Sequence, residues 1–407
     1  MLDQIRILKT VAQYGHAPKE GCRLFGANYD EAFDRLKREY IKEQFSAGIS
    51  NEKFVIGPFG SGKSHFMRQF MEIARDEQCV TAEVMLNKDI DFTDNLSVYC
   101  EVARELRIPG RIEHGIRALL LESVERMAQE AGDIEIGEVL INSWIKGLPL
   151  ADFKETKFAR IAGMALEAYR NGEEPIFEAA CRWLSGEADD AFLAKQLSIS
   201  PIRRAERAGF GRRMLLSLCQ FVRYAGFVGT VVVFDESEQG LAKDGKQREK
   251  ILSMLQSGVN AFADLQNGSA LIIYGLTPDI SEKFDSFAAL QQRLADPIPG
   301  KDFFAGSTLS PKIDLKWRED PYEGLKRMGC KFVDMLYDAN GDRLIVPRGD
   351  AYDFVETIAR DVYDNDSTSG NRRNMAKRTA ALLINLYENG VLEITDEQKL
   401  DVIEKEV

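Results

Sequence analysis

The feature that most constrains this chain is the octet Gly57-Pro58-Phe59-Gly60-Ser61-Gly62-Lys63-Ser64, which fits G-x-x-x-x-G-K-[ST]. Such a loop needs a strand to deliver the chain into a tight turn and a helix to take it out. Gly57, Gly60 and Gly62 let the backbone turn its N–H groups toward an anion. Lys63 supplies a point charge for β- and γ-phosphates, and the Ser64 hydroxyl can ligate Mg²⁺. Pro58, Phe59 and Ser61 complete the cradle, and His65 opens the helix behind it. The flanks agree. Lys53-Phe54-Val55-Ile56 reads as a buried strand, and His65 to Ala74 as a helix whose N-terminus faces the anion.

A phosphate loop alone binds; hydrolysis also needs a metal-side carboxylate and a group that orients water. Val231-Val232-Val233-Phe234-Asp235-Glu236 supplies both. Four apolar residues bury the strand and leave the acids at its C-terminal edge, where ligands of open α/β sheets bind. Asp235 is the candidate Mg²⁺ ligand and Glu236 the candidate catalytic base, with Lys63 beside them in catalysis; Glu238 reads as solvated or supporting. A second buried strand, Ala270 to Gly275, runs out at Thr277-Pro278. Thr277 can touch the γ-phosphate or the attacking water, or it can cap the next segment. Arg293 suits a neighbouring subunit's nucleotide or a plain helix surface. Arg373, with Arg372 as the alternative, opens a late amphipathic helix and suits a lid folded over the γ-phosphate.

Strands alternating with helices predict an α/β fold with a parallel sheet covered on both faces. Between Lys63 and Asp235 the chain is far longer than the helix, strand and helix that a compact core needs; the excess, about 100 residues, reads as a helical insertion. The expected organisation is an N-terminal helical segment over 1–50, a nucleotide-binding core over 51–96 and 226–315, the insertion over 97–225, and a C-terminal helical lid or winged-helix-like domain over 316–407. A strand is expected over Val80–Leu86, a charged turn at Lys243–Lys246 and one short strand over Arg343–Pro347.

Composition narrows the partners. The net charge of −12 argues against a protein that coats nucleic acid. Two arginine clusters still allow DNA: Arg372 and Arg373, and Arg203, Arg204, Arg207, Arg212 and Arg213. The six scattered cysteines form neither a zinc pattern nor a disulfide framework and fit the cytoplasm; the three dispersed histidines, His16, His65 and His114, suggest no metal cluster. No signal peptide or membrane span is expected.

Taken together, the P-loop, the Asp-Glu strand, the polar-ended strand and the late arginine helix resemble an AAA+ type ATPase of the origin-recognition and STAND-like branches. A closer likeness lies outside these motifs. Ala17-Pro18 through Leu24-Phe25-Gly26, then Trp183-Leu184-Ser185-Gly186-Glu187, then Gly226 to Glu236 look like the BREX-system ATP-binding proteins, a BrxD-like P-loop family. The resemblance spans about residues 10–390 and implies ATP and Mg²⁺ as cofactors and other bacterial phage-defence proteins as partners. It implies an ATP-hydrolysing motor or switch, with ATP between the sheet edge and the lid. Arg293, in its catalytic reading, would require a homo-oligomer. The alternatives are a nucleotide-gated scaffold or DNA-binding adaptor with little turnover, and a small-molecule kinase, for which no acceptor-site pattern is present.

Overall fold

The computed structural model describes residues 4–393 except 28, 87–93, 132–133, 189, 237–244, 286–290, 293–294, 296–297, 299–302, 305–308, 316–319 and 367–370. The chain runs through α1 (Gln4–Tyr14), a 3₁₀ turn (Cys22–Leu24), α2 (Asp30–Arg35) continued by a π-helical stretch (Leu36–Gln44), β1 (Asn51–Ile56), α3 (Lys63–Asp76) and β2 (Cys79–Met85). There follow α4 (Asn95–Arg104), β3 (Leu106–Arg107), α5 (Gly115–Ala131), α6 (Ile134–Gly147), α7 (Thr156–Asn171), α8 (Glu174–Leu184), α9 (Ala191–Gln196) and α10 (Arg207–Tyr224). The remainder is β4 (Gly229–Asp235), α11 (Gly245–Ala263), β5 (Ala270–Leu276), α12 (Pro278–Asp285), β6 (Lys312–Asp314), α13 (Pro321–Asn340), α14 (Arg348–Asn365) and α15 (Asn371–Asn389). The result is a mixed α/β molecule with one six-stranded, mostly parallel sheet and many helices.

The residues group into two compact units. One consists of Arg35–Val55 and Ile73–Ile313 and contains most of the sheet, in the order β3-β2-β4-β5-β1-β6. β2 and β5 flank β4 in parallel, and β3 closes one edge antiparallel to β2. Every residue of β4 and of β5 is buried, as expected of parallel strands covered on both faces. The Phe54, Tyr274 and Phe234 rings stack across three strands with centroids 5.2 Å apart in each pair. Asp94 caps α4, accepting from the Leu96 N–H at 3.1 Å.

The Trp183–Glu187 segment clasps the helices around it. Trp183 is fully buried and meets the Phe210 ring edge-on at 5.8 Å. The Leu184 carbonyl accepts from the Tyr99 hydroxyl. Gly186 (φ +109) lies where a Cβ would sit 2.3 Å from Cys100 Sγ. The motif thus binds α8 to α4 and α10, which explains in packing terms why those residue types stand together.

The other unit consists of Met1–Asp34, Ile56–Glu72 and Asp314–Val407. α1 lies along α15, and α13, α14 and α15 pack mutually. Leu8, Phe332, Leu336, Val355, Ile358 and Leu383 are central to its core. Asp320 caps α13, accepting from Tyr322 N (2.9 Å) and Glu323 N (3.1 Å), with Pro321 in the first turn. The short strand expected at Arg343–Pro347 is absent. Gly341–Arg343 forms a 3₁₀ turn, Ile345 is 88% exposed, and Pro347 is already the N-cap of α14. The Tyr337 hydroxyl pins the Val346 carbonyl at 2.9 Å, so this backbone bonds to a side chain rather than to a strand. Of the charged turn, Lys243 and Asp244 lie outside the described residues and α11 starts at Gly245.

Candidate nucleotide site

The P-loop belongs to the helical unit. Gly60 and Gly62 have φ of 82° and 92°, the left-handed region that glycine enters without strain. At Gly57 a Cβ would lie 2.3 Å from Ser61 Oγ, so only glycine lets the loop close on itself. Lys63 is 8% exposed, and its ammonium donates to the Gly57 carbonyl at 2.8 Å and to the Pro58 carbonyl at 3.3 Å. It also lies 5.2 Å from the ring centroid of Phe59, which is itself 68% exposed. Ser61 Oγ is buried with no hydrogen-bond partner among the described residues. Ser64 occupies the first turn of α3, and that turn carries no acidic side chain to offset the positive helix end.

His65, next on α3, packs against Phe25 with centroids 4.8 Å apart. Burial pushes its pKa down to about 4, against a hydrogen bond to the Cys22 backbone that favours the charged form. The imidazole is therefore neutral at physiological pH, with Nε2 buried and without a partner among the described residues. Further along α3, the Glu72 carboxylate accepts from Cys22 N (2.8 Å) and Arg23 N (3.1 Å), and Arg68 donates to the Ala17 carbonyl. These bonds fasten the segment from Ala17 to Phe25 to the helix behind the P-loop. Neither Arg68 nor Glu72 was legible as a contact, because a charged residue on a helix ordinarily faces water.

Arg372 stands in the first turn of α15 and is 8% exposed. Its guanidinium donates to the Ser61 carbonyl, inside the P-loop, and to the Tyr29 hydroxyl at 2.8 Å. Burial pulls the Arg372 pKa below the ordinary guanidinium value and raises that of the Tyr29 phenol. Tyr29 in turn donates to the Leu315 carbonyl at 3.4 Å, and Leu315 N donates to the Ile56 carbonyl at 2.8 Å. Arg373 is exposed, with its Cγ 2.8 Å from where a Gly15 Cβ would stand. Of the two adjacent arginines, Arg372 is thus the one at the P-loop, and Arg373 lies along α1's end.

The sheet unit carries the acidic residues. Asp235 ends β4 and is 2% exposed. Its Oδ1 accepts from Glu236 N at 2.9 Å, and its Oδ2 is buried with no partner among the described residues. Glu236 adopts φ of 54°, a left-handed conformation unusual for a residue with a Cβ. Thr277 follows β5 and is 4% exposed; its backbone carbonyl accepts from Ile280 N (3.2 Å) and Ser281 N (3.1 Å), closing the first turn of α12. Parallel pairing of β4 and β5 brings Asp235 and Thr277 to the same end of the sheet. Glu238 and Arg293 lie outside the described residues.

Three arginines of the Arg203–Arg213 cluster are engaged within the unit. Arg207 bonds Asp94 at 2.8 Å, Arg213 bonds Glu155 at 2.9 Å, and Arg212 donates to Ser257.

Residues 3–389 match the family model described as BREX system ATP-binding protein BrxC/D. The chain belongs to that family. The BrxC/D match runs through both compact units, including the P-loop, the Trp183–Glu187 segment and the helix that carries Arg372. The description of the BrxC/D family supports ATP as the ligand and a multi-protein BREX defence system as the setting. No curated protein matches the chain. Among the described residues, no helix is long and apolar enough to cross a membrane.

Proposed function

We propose that the chain is an ATP-hydrolysing switch of AAA+ type that works with other proteins of a BREX system in the bacterial cytoplasm. The observation that carries this reading is the state of the P-loop. Lys63 is turned onto the loop's own Gly57 and Pro58 carbonyls, while the buried Ser61 hydroxyl has no partner among the described residues. An anion with several oxygens would satisfy both, together with the N–H groups of the glycine turn and the positive end of α3.

The donor set also suits Mg²⁺. Asp235 Oδ2 is a buried carboxyl oxygen with no partner among the described residues, and such an atom is costly to bury unless a cation or donor joins it. Ser64 and Asp235 would hold the ion, which when bound neutralises charge on the β- and γ-phosphate oxygens. Glu236 would accept hydrogen bonds from the attacking water and orient it, and the Thr277 hydroxyl would hold that water or a γ-oxygen. Arg372 would move from the Ser61 carbonyl to the γ-phosphate and offset charge there. Arg293 would serve a neighbouring copy in a homo-oligomer. Movement of α15 with Arg372 is the signal a partner protein would read.

The test is ATP turnover by Glu236→Gln. Loss of a water-orienting carboxylate costs about 10²–10⁴-fold in rate with ATP binding kept. Turnover equal to the unaltered protein would remove Glu236 from the chemistry and leave a nucleotide-gated scaffold as the reading.

A further inference from the structure

We infer that Tyr29 is a positioning residue for Arg372 and thereby sets how strongly the site prefers a triphosphate to a diphosphate. The inference rests on the nucleotide reading above. Arg372 Nη1 donates both to the Ser61 carbonyl, inside the P-loop, and to the Tyr29 hydroxyl. Its ζ carbon is also 5.8 Å from the Tyr29 ring centroid. A buried cation on a flexible side chain keeps one position only if its partners are fixed.

Tyr29 is fixed on two sides. Its ring meets Phe66 of α3 edge-on, with centroids 5.3 Å apart and planes at 88°. Its hydroxyl donates to the Leu315 carbonyl, the residue whose N–H holds Ile56 at the entry to the P-loop. The phenol thus bridges the loop's entrance and the arginine over its crown. When Arg372 exchanges the Ser61 carbonyl for a phosphate oxygen, the Tyr29 hydroxyl can remain its second acceptor. The guanidinium then turns about a bond that stays made instead of searching for a pose. Burial raises the Tyr29 pKa, so the phenol stays neutral and keeps both its proton and its acceptor lone pairs through the physiological range.

A tether of this kind acts on the γ-phosphate and not on the rest of the nucleotide. Binding of ATPγS and of ADP, each with Mg²⁺, is measured by calorimetry on the full chain, for Tyr29→Phe, Arg372→Ala, the double variant and Lys63→Ala. Tyr29→Phe is expected to weaken ATPγS about tenfold, the scale of one hydrogen bond to a charged group, and to leave ADP within about twofold. The double variant is expected to bind ATPγS no worse than Arg372→Ala within about twofold, because residues that act through one another do not add. Equal loss of both nucleotides would make Tyr29 a mere brace of the fold. No loss, or losses that multiply in the double variant, would likewise overturn the tether. If Lys63→Ala binds as the unaltered protein does, the nucleotide reading fails and the tether with it; a normal Lys63→Ala defect with an unselective Tyr29→Phe defect removes the tether alone. Thermal unfolding monitors the fold of each variant, and Tyr29→His, which keeps a ring and a polar edge, replaces Tyr29→Phe if that variant does not fold.

Discussion

The P-loop and the Asp235–Glu236 strand end are built on opposite plans. The P-loop takes its shape from its own glycines and then borrows support from residues distant in sequence: Tyr29, Leu315 and Arg372. The carboxylates are delivered by a single element. A strand buried at every position delivers Asp235 to the sheet edge, and the next residue turns left-handed to leave it. The first half is local in motif and non-local in support; the second is a by-product of one hydrophobic strand. Lesions in the two should therefore fail differently.

The sharpest way to separate them is nucleotide binding with and without Mg²⁺. Lys63→Ala is expected to lose about 100-fold or more in ATP affinity in both conditions, since the ammonium meets phosphate directly. Asp235→Asn keeps the shape of the strand end. It should lower apparent Mg²⁺ affinity about 10–100-fold and leave Mg²⁺-free binding unchanged. Equal defects in both conditions for Asp235→Asn would erase the contrast.

A second break uses pH, because each unit holds a buried group that titrates against stability from the opposite side of neutrality. In the helical unit, His65 is held down to about 4, below its ordinary value of 6.5. The unfolded chain binds that proton first, so stability falls as pH drops from about 6.5 toward 4. In the sheet unit, burial pushes Glu52 up to about 8, with Arg212 opposing. Both of its carboxyl oxygens are buried without a hydrogen-bond partner among the described residues, and its charge bears on Tyr274. Arg212 and Tyr274 also line a cavity of about 60 Å³ beneath α10 and α11. Here the folded chain keeps a proton that the unfolded chain has lost, so stability falls as pH rises from about 4.5 to 8. Thermal unfolding across pH should show both flanks. His65→Gln should flatten the acid side alone and Glu52→Gln the alkaline side alone; a shared effect would mean that the assignments are wrong.

The smallest effect expected is at Glu236. Its φ of 54° costs a residue with a Cβ about 1 kcal/mol, which Glu236→Gly would relieve in part while abolishing turnover. A melting temperature that does not rise would mean that the backbone there is unstrained.

The sequence made some of this plain and concealed the rest for physical reasons. The octet around Lys63 and the run Val231 to Glu236 are local signals, since loop, strand and helix each need particular residue types over a few positions. β1, α3, β2, β4 and β5 lie where that patterning predicts them. The Tyr29–Arg372 bond joins residues at opposite ends of the chain, and no local pattern encodes such a pairing. The sequence favours Arg373 for the lid with Arg372 as the alternative, since the two stand side by side; the phase of α15 turns Arg372 inward and leaves Arg373 exposed. Glu52 lies just before the Lys53–Ile56 run that patterning marks as a strand, and nothing local marks it as a buried acid; Gly258 of α11 and Arg212 of α10 lie beside its carboxyl group.

The pairing of α1 with α15 also has a consequence for biosynthesis. Synthesis proceeds from the N-terminus, and domains generally fold as units as they emerge. Most of the residues of the sheet unit leave the ribosome in one continuous stretch, Ile73–Ile313. The P-loop emerges earlier yet waits longer, because Arg372 is among the later residues to be translated. A nascent chain stalled before α15 would thus carry a complete glycine turn without the Arg372 bond to Ser61. Ribosome-bound intermediates of this protein should become competent for tight nucleotide capture only after α15 has cleared the exit tunnel.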